Sequence, residues 1–294
     1  MRILFTNSPL HFTHGHTFTQ PDWPTLILPY LAGIVGDAHE VKLVDNMHYS
    51  FFKSNNIIDE IRNFKPGIVG FSIIASRDLF STINVIKKVR EDYPDIVLLA
   101  GGQVGTFYGE WLLQSGIDFI VNKEAEITLD ELVRAIENQE PDFSHIKGLS
   151  YSLDRKIHIT EERLMINKLD DGPMPRFDLM PKLKSKWFPG RYTGSIETSR
   201  GCPFDCSFCA ITGYWERSFI FKSNERIMKE LEKLKREGRT HIYLADDNFG
   251  ANAKKHIDLF KMMISEKVDI KFFAQIRADT VANNPEMIGW AARA

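Results

Sequence analysis

Cysteine is nearly absent from this chain: three occur in 294 residues. So few thiols cannot frame a disulfide-stapled scaffold, and an odd count leaves at least one unpaired. Neither sign of charge dominates, with 37 Lys and Arg against 39 Asp and Glu and a net charge of −2. The electrostatic footprint of a nucleic-acid binder is therefore missing, and no nucleic-acid partner is expected. No apolar run is long enough to cross a bilayer, so no membrane insertion is expected. The N-terminus, MRILFTNSP, enters a strand-like apolar run without the h-region of a secretory signal, and the expected location is cytoplasmic. No Gly-x-Gly-x-x-Gly occurs, which removes the dinucleotide-binding fingerprint.

What is present has the composition of a folded protein, 43% hydrophobic and 26% charged, with length for one large domain or two ordinary ones. Residues 1–140 alternate β-rich runs with helical patterns. Strands are expected at 2–6, 41–44, 68–71, 96–100 and 119–121, and helices near 25–36, 55–63, 78–92, 107–114 and 126–138. In DLFSTINVIKKVRED, Leu79, Ile83, Ile86 and Val89 recur at helical spacing. Five β-α units in series imply an α/β fold, a doubly wound, flavodoxin- or Rossmann-like parallel sheet of five strands. Such sheets bind ligands outside the carboxyl ends of their strands. Ser72 and Ser76 stand there after the third strand, Gly101 and Gly102 after the fourth, and Glu124, Glu126 and Thr128 after the fifth. Glycine allows a ligand to approach the backbone, and hydroxyls donate hydrogen bonds. The same letters also make ordinary βα turns, with 126–128 opening a helix.

Residues 148–160 read as a β-hairpin around Asp154-Arg155-Lys156, and the proline-rich DDGPMPRFDLMPK reads as linker. The expected division is a domain at 1–140, a connector at 141–190 and a second domain at 191–294. Lys182, Lys184 and Lys186 read as a solvated stretch. From 191 the β-α rhythm resumes: strand 191–198, helix 224–237 with Ser223 as N-cap, strand 241–247, helix 252–266, strand 271–279, and helix 284–294 with Pro285 in its first turn. Three β-α units cannot close a barrel.

All three cysteines, Cys202, Cys206 and Cys209, stand in SRGCPFDCSFC. Thiolates at this spacing reach one small inorganic core. A [4Fe–4S] cube normally takes four thiolates, so three leave one iron open. An open iron can chelate an amine and a carboxylate, both of which S-adenosylmethionine (SAM) carries. A Cys₃His zinc site is the rival and needs a fourth ligand such as His241.

SRGCPFDCSFC, with Phe208 before the last cysteine, resembles the cluster loop of radical SAM enzymes. The resemblance implies the first half of a partial (β/α)₆ barrel and a cluster that cleaves SAM to a 5′-deoxyadenosyl radical. HIYLADDNFGAN resembles the family's second strand, whose acidic turn, here Asp246 and Asp247, holds the SAM amino group. KFFAQIRAD resembles the third, which places Gln275 and Arg277 near the SAM ribose and methionine. The pieces PTLILPYLAGIV, HEVKLVD, KPGIVGFSIIAS, IVLLAGGQVGT and DFIVNKEAEITLDEL together resemble the cobalamin-binding domain fused to one radical SAM subfamily. That likeness implies cobalamin as second cofactor, methyl transfer to an unactivated carbon of a small-molecule substrate, and a reductant protein such as flavodoxin or ferredoxin. Two other functions fit the same letters: a radical SAM enzyme whose first domain docks a substrate or partner without cobalamin, and a cluster- or corrin-binding module without catalysis.

Three departures accompany the resemblance. Many cobalamin domains carry Asp-x-His-x-x-Gly after the first strand; here the loop reads SPLHFTHGHTF. Cobalamin is thus expected without that lower histidine ligand, with His11, His14 or His16 as substitutes. The relatives' Gly-Glu-Gly-Glu turn is Lys123-Glu124-Ala125-Glu126 here. The family continues past WAARA into further strands, so the expectation is a fragment, a shortened product or a chain completed by a partner. Trp215, in Gly213-Tyr214-Trp215 after the cysteines, is expected to pack over the cluster.

Overall fold

The computed structural model describes residues 1–7, 23–46, 57–154 and 156–294, the side chain of Arg77 excepted. His11, His14, His16 and Arg155 lie outside the described residues. The chain forms two compact units, one made of Met1–Pro21, Ile27–Ile166 and Pro173–Met180, the other of Asp22–Leu26, Asn167–Gly172 and Pro181–Ala294.

The first unit runs β1 (Arg2–Asn7), α1 (Ile27–Val35), β2 (Glu40–Val44), α2 (Ile57–Phe64), β3 (Ile68–Ser72), α3 (Leu79–Asp92), β4 (Val97–Gly101), α4 (Gly102–Phe107), α5 (Gly109–Gln114), β5 (Phe119–Val121), α6 (Thr128–Glu137), β6 (Leu149–Leu153) and β7 (Lys156–Ile159). Its sheet has the order β2-β1-β3-β4-β5-β6-β7. The first five strands are parallel. Helices cover both faces of such a sheet, so β3, IVGFS, is buried at every position rather than alternating. On α3 Leu79, Ile86 and Val89 are buried, and Ile83 packs against the same core, as the helical spacing requires. The order 2-1-3-4-5 reverses direction between β1 and β3, which makes the carboxyl ends of those two strands the ligand-binding crevice.

Two expectations change here. The hairpin assigned to the connector is part of this sheet: β6 lies antiparallel to β5, with Ile120 opposite Ser150, and β7 follows it. Its backbone satisfies the edge of β5, which a five-stranded sheet would leave unpaired. A further helix, α4, also begins directly after β4, at Gly102, ahead of the one expected near 107–114, which is α5. Gly102 takes φ +84°, and a Cβ there would meet the Ile73 carbonyl oxygen at 2.8 Å. Only glycine lets the chain turn that tightly.

The second unit contains β8 (Tyr192–Ile196), β9 (Ser199–Gly201), α7 (Ala210–Trp215), β10 (Phe219–Phe221), α8 (Asn224–Arg236), β11 (Arg239–Phe249), α9 (Ala253–Ser265), β12 (Lys271–Ile276), α10 (Ala278–Asn283) and α11 (Pro285–Ala291). Strands β12, β11 and β8 form a parallel sheet with β11 in the middle. Ser223 caps α8, its hydroxyl accepting from the Arg226 amide. Ile227, Met228, Leu231 and Leu234 form the buried face of α8. The pair β9–β10 has no counterpart among the expected strands. It is antiparallel, with Gly201 opposite Phe219 and Ser199 opposite Phe221, and it closes the cysteine segment into a loop.

Candidate cofactor sites

The cysteine loop leaves the sheet at the end of β8 and returns through α7 to β10. Cys202, Cys206 and Cys209 are free and partly exposed, and the Cys209 amide donates to the Cys206 carbonyl at 2.9 Å. Gly201 enters the loop at φ +84°, where a Cβ would lie 2.0 Å from the Ser218 carbonyl oxygen. The backbone of the cysteine segment therefore presses against the returning strand, and no side chain fits between them.

The acidic pair of β11 holds this loop. Asp246 is 3% exposed. It accepts from the Thr198 amide at 2.6 Å, from the Thr198 hydroxyl, and from Ser199 Oγ at 2.7 Å. Burial pushes its carboxyl up to about 6, against the downward pull of those hydrogen bonds. Asp247 accepts from the Gly201 amide at 3.0 Å and stays exposed. On α9 His256 is buried, with Nδ1 2.9 Å from the Asn252 carbonyl and Nε2 3.2 Å from Thr198 Oγ1. A carbonyl only accepts, so Nδ1 carries the proton and Nε2 the lone pair. Burial lowers the ring's pKa to about 4 and keeps it neutral.

A buried charge network backs the same segment. Lys222 Nζ reaches both Glu230 oxygens at 2.9 and 3.0 Å. Arg226 also bonds Glu230, and Arg200 bonds Glu197 at 2.9 Å. Burial alone would raise the Glu197 carboxyl; Arg200 and Lys222 hold it below the usual carboxylate range. The Arg200 guanidinium lies 5.7 Å from the Trp215 ring. Trp215 thus packs on the strand entering the loop.

The other expected residues of this unit are distributed as follows. Gln275 is exposed near the end of β12. Arg277 follows it and points to the cysteine loop, with Nη1 3.6 Å from Cys206 Sγ. Phe208 is 90% exposed, so it covers nothing within the chain. Asn248, which carries no motif of its own in the sequence, is 4% exposed, and neither end of its amide has a partner among the described residues. An unpaired buried amide beside two aspartates is the kind of group a polar ligand satisfies.

Among the described residues, no three His, Cys, Asp or Glu side chains converge as a single metal ion requires. His241 cannot complete a zinc site with the cysteines. It lies five positions before Asp246 on β11, about 16 Å along the strand, and its Nδ1 is 2.8 Å from Ser185 Oγ. Three free thiols spread around one turn suit a multi-iron core instead.

In the first unit, Ser72 ends β3 at the crevice. It is 4% exposed, and its hydroxyl has no partner among the described residues. Gly101 ends the adjacent β4, Gly102 opens α4, and Ser76 is exposed beyond β3. Backbone already fills the space beside both glycines, with the Val121 carbonyl oxygen 3.3 Å and the Ile73 carbonyl oxygen 2.8 Å from where a Cβ would lie, so the Ser72 and Ser76 hydroxyls are the polar groups offered here. The turn after β5 is occupied differently. Glu124 accepts from the Ile166 amide at 2.6 Å, Glu126 from the Tyr30 hydroxyl at 3.0 Å, and buried Thr128 bonds the Lys147 carbonyl and Arg163. All three make internal contacts that the sequence pattern could not show.

Comparison with known proteins gives two family matches. The B12 binding domain family matches residues 19–133, and the Radical SAM superfamily matches residues 196–289. An uncharacterized methyltransferase of Pyrococcus horikoshii is 34% identical over 262 residues, covering 87% of this chain and 56% of that protein. The anaerobic magnesium-protoporphyrin IX monomethyl ester cyclase of Synechocystis is 26% identical over 299 residues, covering 100% of this chain and 59% of the cyclase. The solved structure of the cobalamin-dependent SAM radical enzyme OxsB with aqua-cobalamin and SAM bound superposes with a TM-score of 0.71 at 22% identity, covering 99% of this chain and 42% of that one. The chain therefore spans somewhat over half the length of these curated relatives.

Proposed function

Because the chain belongs to the cobalamin-dependent radical SAM family, we propose that it carries the cluster, SAM and cobalamin sites of a radical SAM enzyme that transfers a methyl group to an unactivated carbon of a small molecule. The observation that carries this reading is the gathering of all three cysteines on one loop clamped by Asp246 and Asp247. When bound, the [4Fe–4S] cluster supplies the electron that cleaves SAM to a 5′-deoxyadenosyl radical, and cobalamin supplies a methyl carrier.

The chain's own residues bind and orient. Cys202, Cys206 and Cys209 are the thiolate ligands. Asp246 fixes the backbone of Thr198, and Asp247 that of Gly201, so the thiols project from a fixed loop. Asp247, Gln275 and Asn248 offer polar groups at the strand ends to the SAM amine, carboxylate and ribose. Ser72, Gly101 and Gly102 line the crevice for cobalamin. Among the described residues, no helix is long and apolar enough to cross a membrane. Free thiols at an iron site suit a reducing compartment, which supports a cytoplasmic location and a reductant such as flavodoxin or ferredoxin.

The test is anaerobic reconstitution with iron and sulfide, then SAM and a strong reductant, reading 5′-deoxyadenosine. The expected result is production that Cys202→Ala abolishes. A loaded cluster with no 5′-deoxyadenosine would overturn the catalytic reading for this chain and leave a binding module. A cobalamin absorbance titration separates the cobalamin-dependent enzyme from one whose first unit does not bind the corrin.

A further inference from the structure

Arg277 is restrained on three sides. Its Nε and Nη2 fork onto the two oxygens of Asp279 at 3.0 and 2.7 Å. Its guanidinium lies 4.0 Å from the centre of the Phe204 ring. The remaining nitrogen, Nη1, is 3.6 Å from Cys206 Sγ. Asp279 is itself fixed, because its Oδ1 also accepts from the Thr280 amide at 2.9 Å at the start of α10. Phe204 stands two residues before Cys206 on the same loop. Among the described residues, neither Cys202 Sγ nor Cys209 Sγ accepts a hydrogen bond.

An arginine held by a carboxylate fork and an aromatic face has little freedom left, so its third side points where the fold directs it. Here that is one particular sulfur. A hydrogen bond from a cation to a ligating sulfur stabilises whichever state places more negative charge on it. In an iron–sulfur cluster that is the reduced state, and hydrogen bonds to the sulfurs together with local charge set the reduction potential.

We propose that Arg277 is a positioning residue of the cluster: it donates to the Cys206 sulfur and raises the cluster's reduction potential, making Cys206 electronically distinct from Cys202 and Cys209. Asp279 and Phe204 are the parts that aim it. This rests on the cluster reading above. It gives Arg277 a different duty from the SAM contact that the family resemblance suggests.

The experiment compares the reconstituted wild-type chain with Arg277→Met and Arg277→Lys. Iron content is measured first, then the midpoint potential by a redox titration followed by electron paramagnetic resonance, without SAM. The expected result is full iron in all three, a more negative midpoint in R277M, and an intermediate one in R277K, which keeps the charge and loses the fork. Loaded clusters with identical midpoints would overturn the proposal and leave the cluster reading intact. Loss of iron from both variants would also overturn it, because Arg277 would then serve only to hold the loop. A wild-type chain that takes up no cluster removes the cluster reading and this proposal with it. A merely structural arginine would change stability without moving the potential of a fully loaded cluster.

Discussion

Asp246 and His256 flank the hydroxyl of Thr198, which donates to the carboxylate of one and lies 3.2 Å from Nε2 of the other. Burial acts on the two in opposite directions. The Asp246 pKa rises from an ordinary 3.8 to about 6, and that of His256 falls from 6.5 to about 4. Between pH 4 and 6 the folded protein holds its proton on Asp246, while the unfolded chain holds one on the histidine. Taken alone, Asp246 favours the folded state at low pH, and that contribution is lost as pH rises towards 6. His256 does the reverse: its contribution is present above pH 6.5 and is lost as pH falls towards 4. The proton counts match, so the two slopes cancel. Asp246→Asn removes one of them. The variant should show unfolding free energy rising by about 1.4 kcal/mol per pH unit between pH 4 and 6 relative to wild type. Urea midpoints across that range measure it, and parallel curves for the two proteins would refute the linkage.

Gly201→Ala should damage the cysteine loop before anything else. An alanine at φ +84° costs about 1–2 kcal/mol, and its Cβ would have to displace the Ser218 carbonyl. The expected outcome is a fall in stability above that figure, together with reduced iron uptake on reconstitution. Denaturation and iron assays on the same sample check both, and normal iron content would show that the loop tolerates the displacement.

Lys222→Met should cost about 3 kcal/mol, since it leaves Glu230 and Glu197 short of a cation in a buried place. Adding Glu230→Gln should recover part of that loss. A double-mutant cycle by urea unfolding reads the coupling, and strict additivity would mean that the ion pair contributes nothing of its own.

Ser72→Ala tests the crevice of the first sheet. Its hydroxyl has no partner among the described residues, so the unloaded variant should be as stable as wild type or slightly more so. If that hydroxyl meets cobalamin, the loss is about 1 kcal/mol, or roughly fivefold in affinity. Parallel cobalamin titrations decide it; equal affinities would exclude Ser72 from the contact.

Parallel strands and their helices were readable because a strand buried on both faces is a continuous apolar run, as in Ile68–Ser72, and a helix on a sheet carries apolar residues at regular spacing, as in α3. The cysteine loop was readable because its spacing has few other uses. What escaped depends on distant partners. Helix α4 has two glycines of poor helix propensity among its six residues, Gly102 and Gly105, and forms because the turn at Gly102 fits against Ile73. The β9–β10 pair is too short to show alternation. The letters Asp246 and Arg277 suggested contacts to SAM, yet the first is buried against Thr198 and Ser199 and the second faces Cys206. Glu197, Arg200 and Lys222 look like surface charges in the sequence, and only the tertiary fold shows that they neutralise one another.

The Gly201 amide and the Asp247 carboxylate that receives it are 46 residues apart in the chain. The carboxylates that shape the thiol loop thus lie later in the chain than the thiols themselves, and they reach it only because β11 pairs with β8. A change that loosens that pairing therefore loosens the three sulfurs as well, although it touches no cysteine.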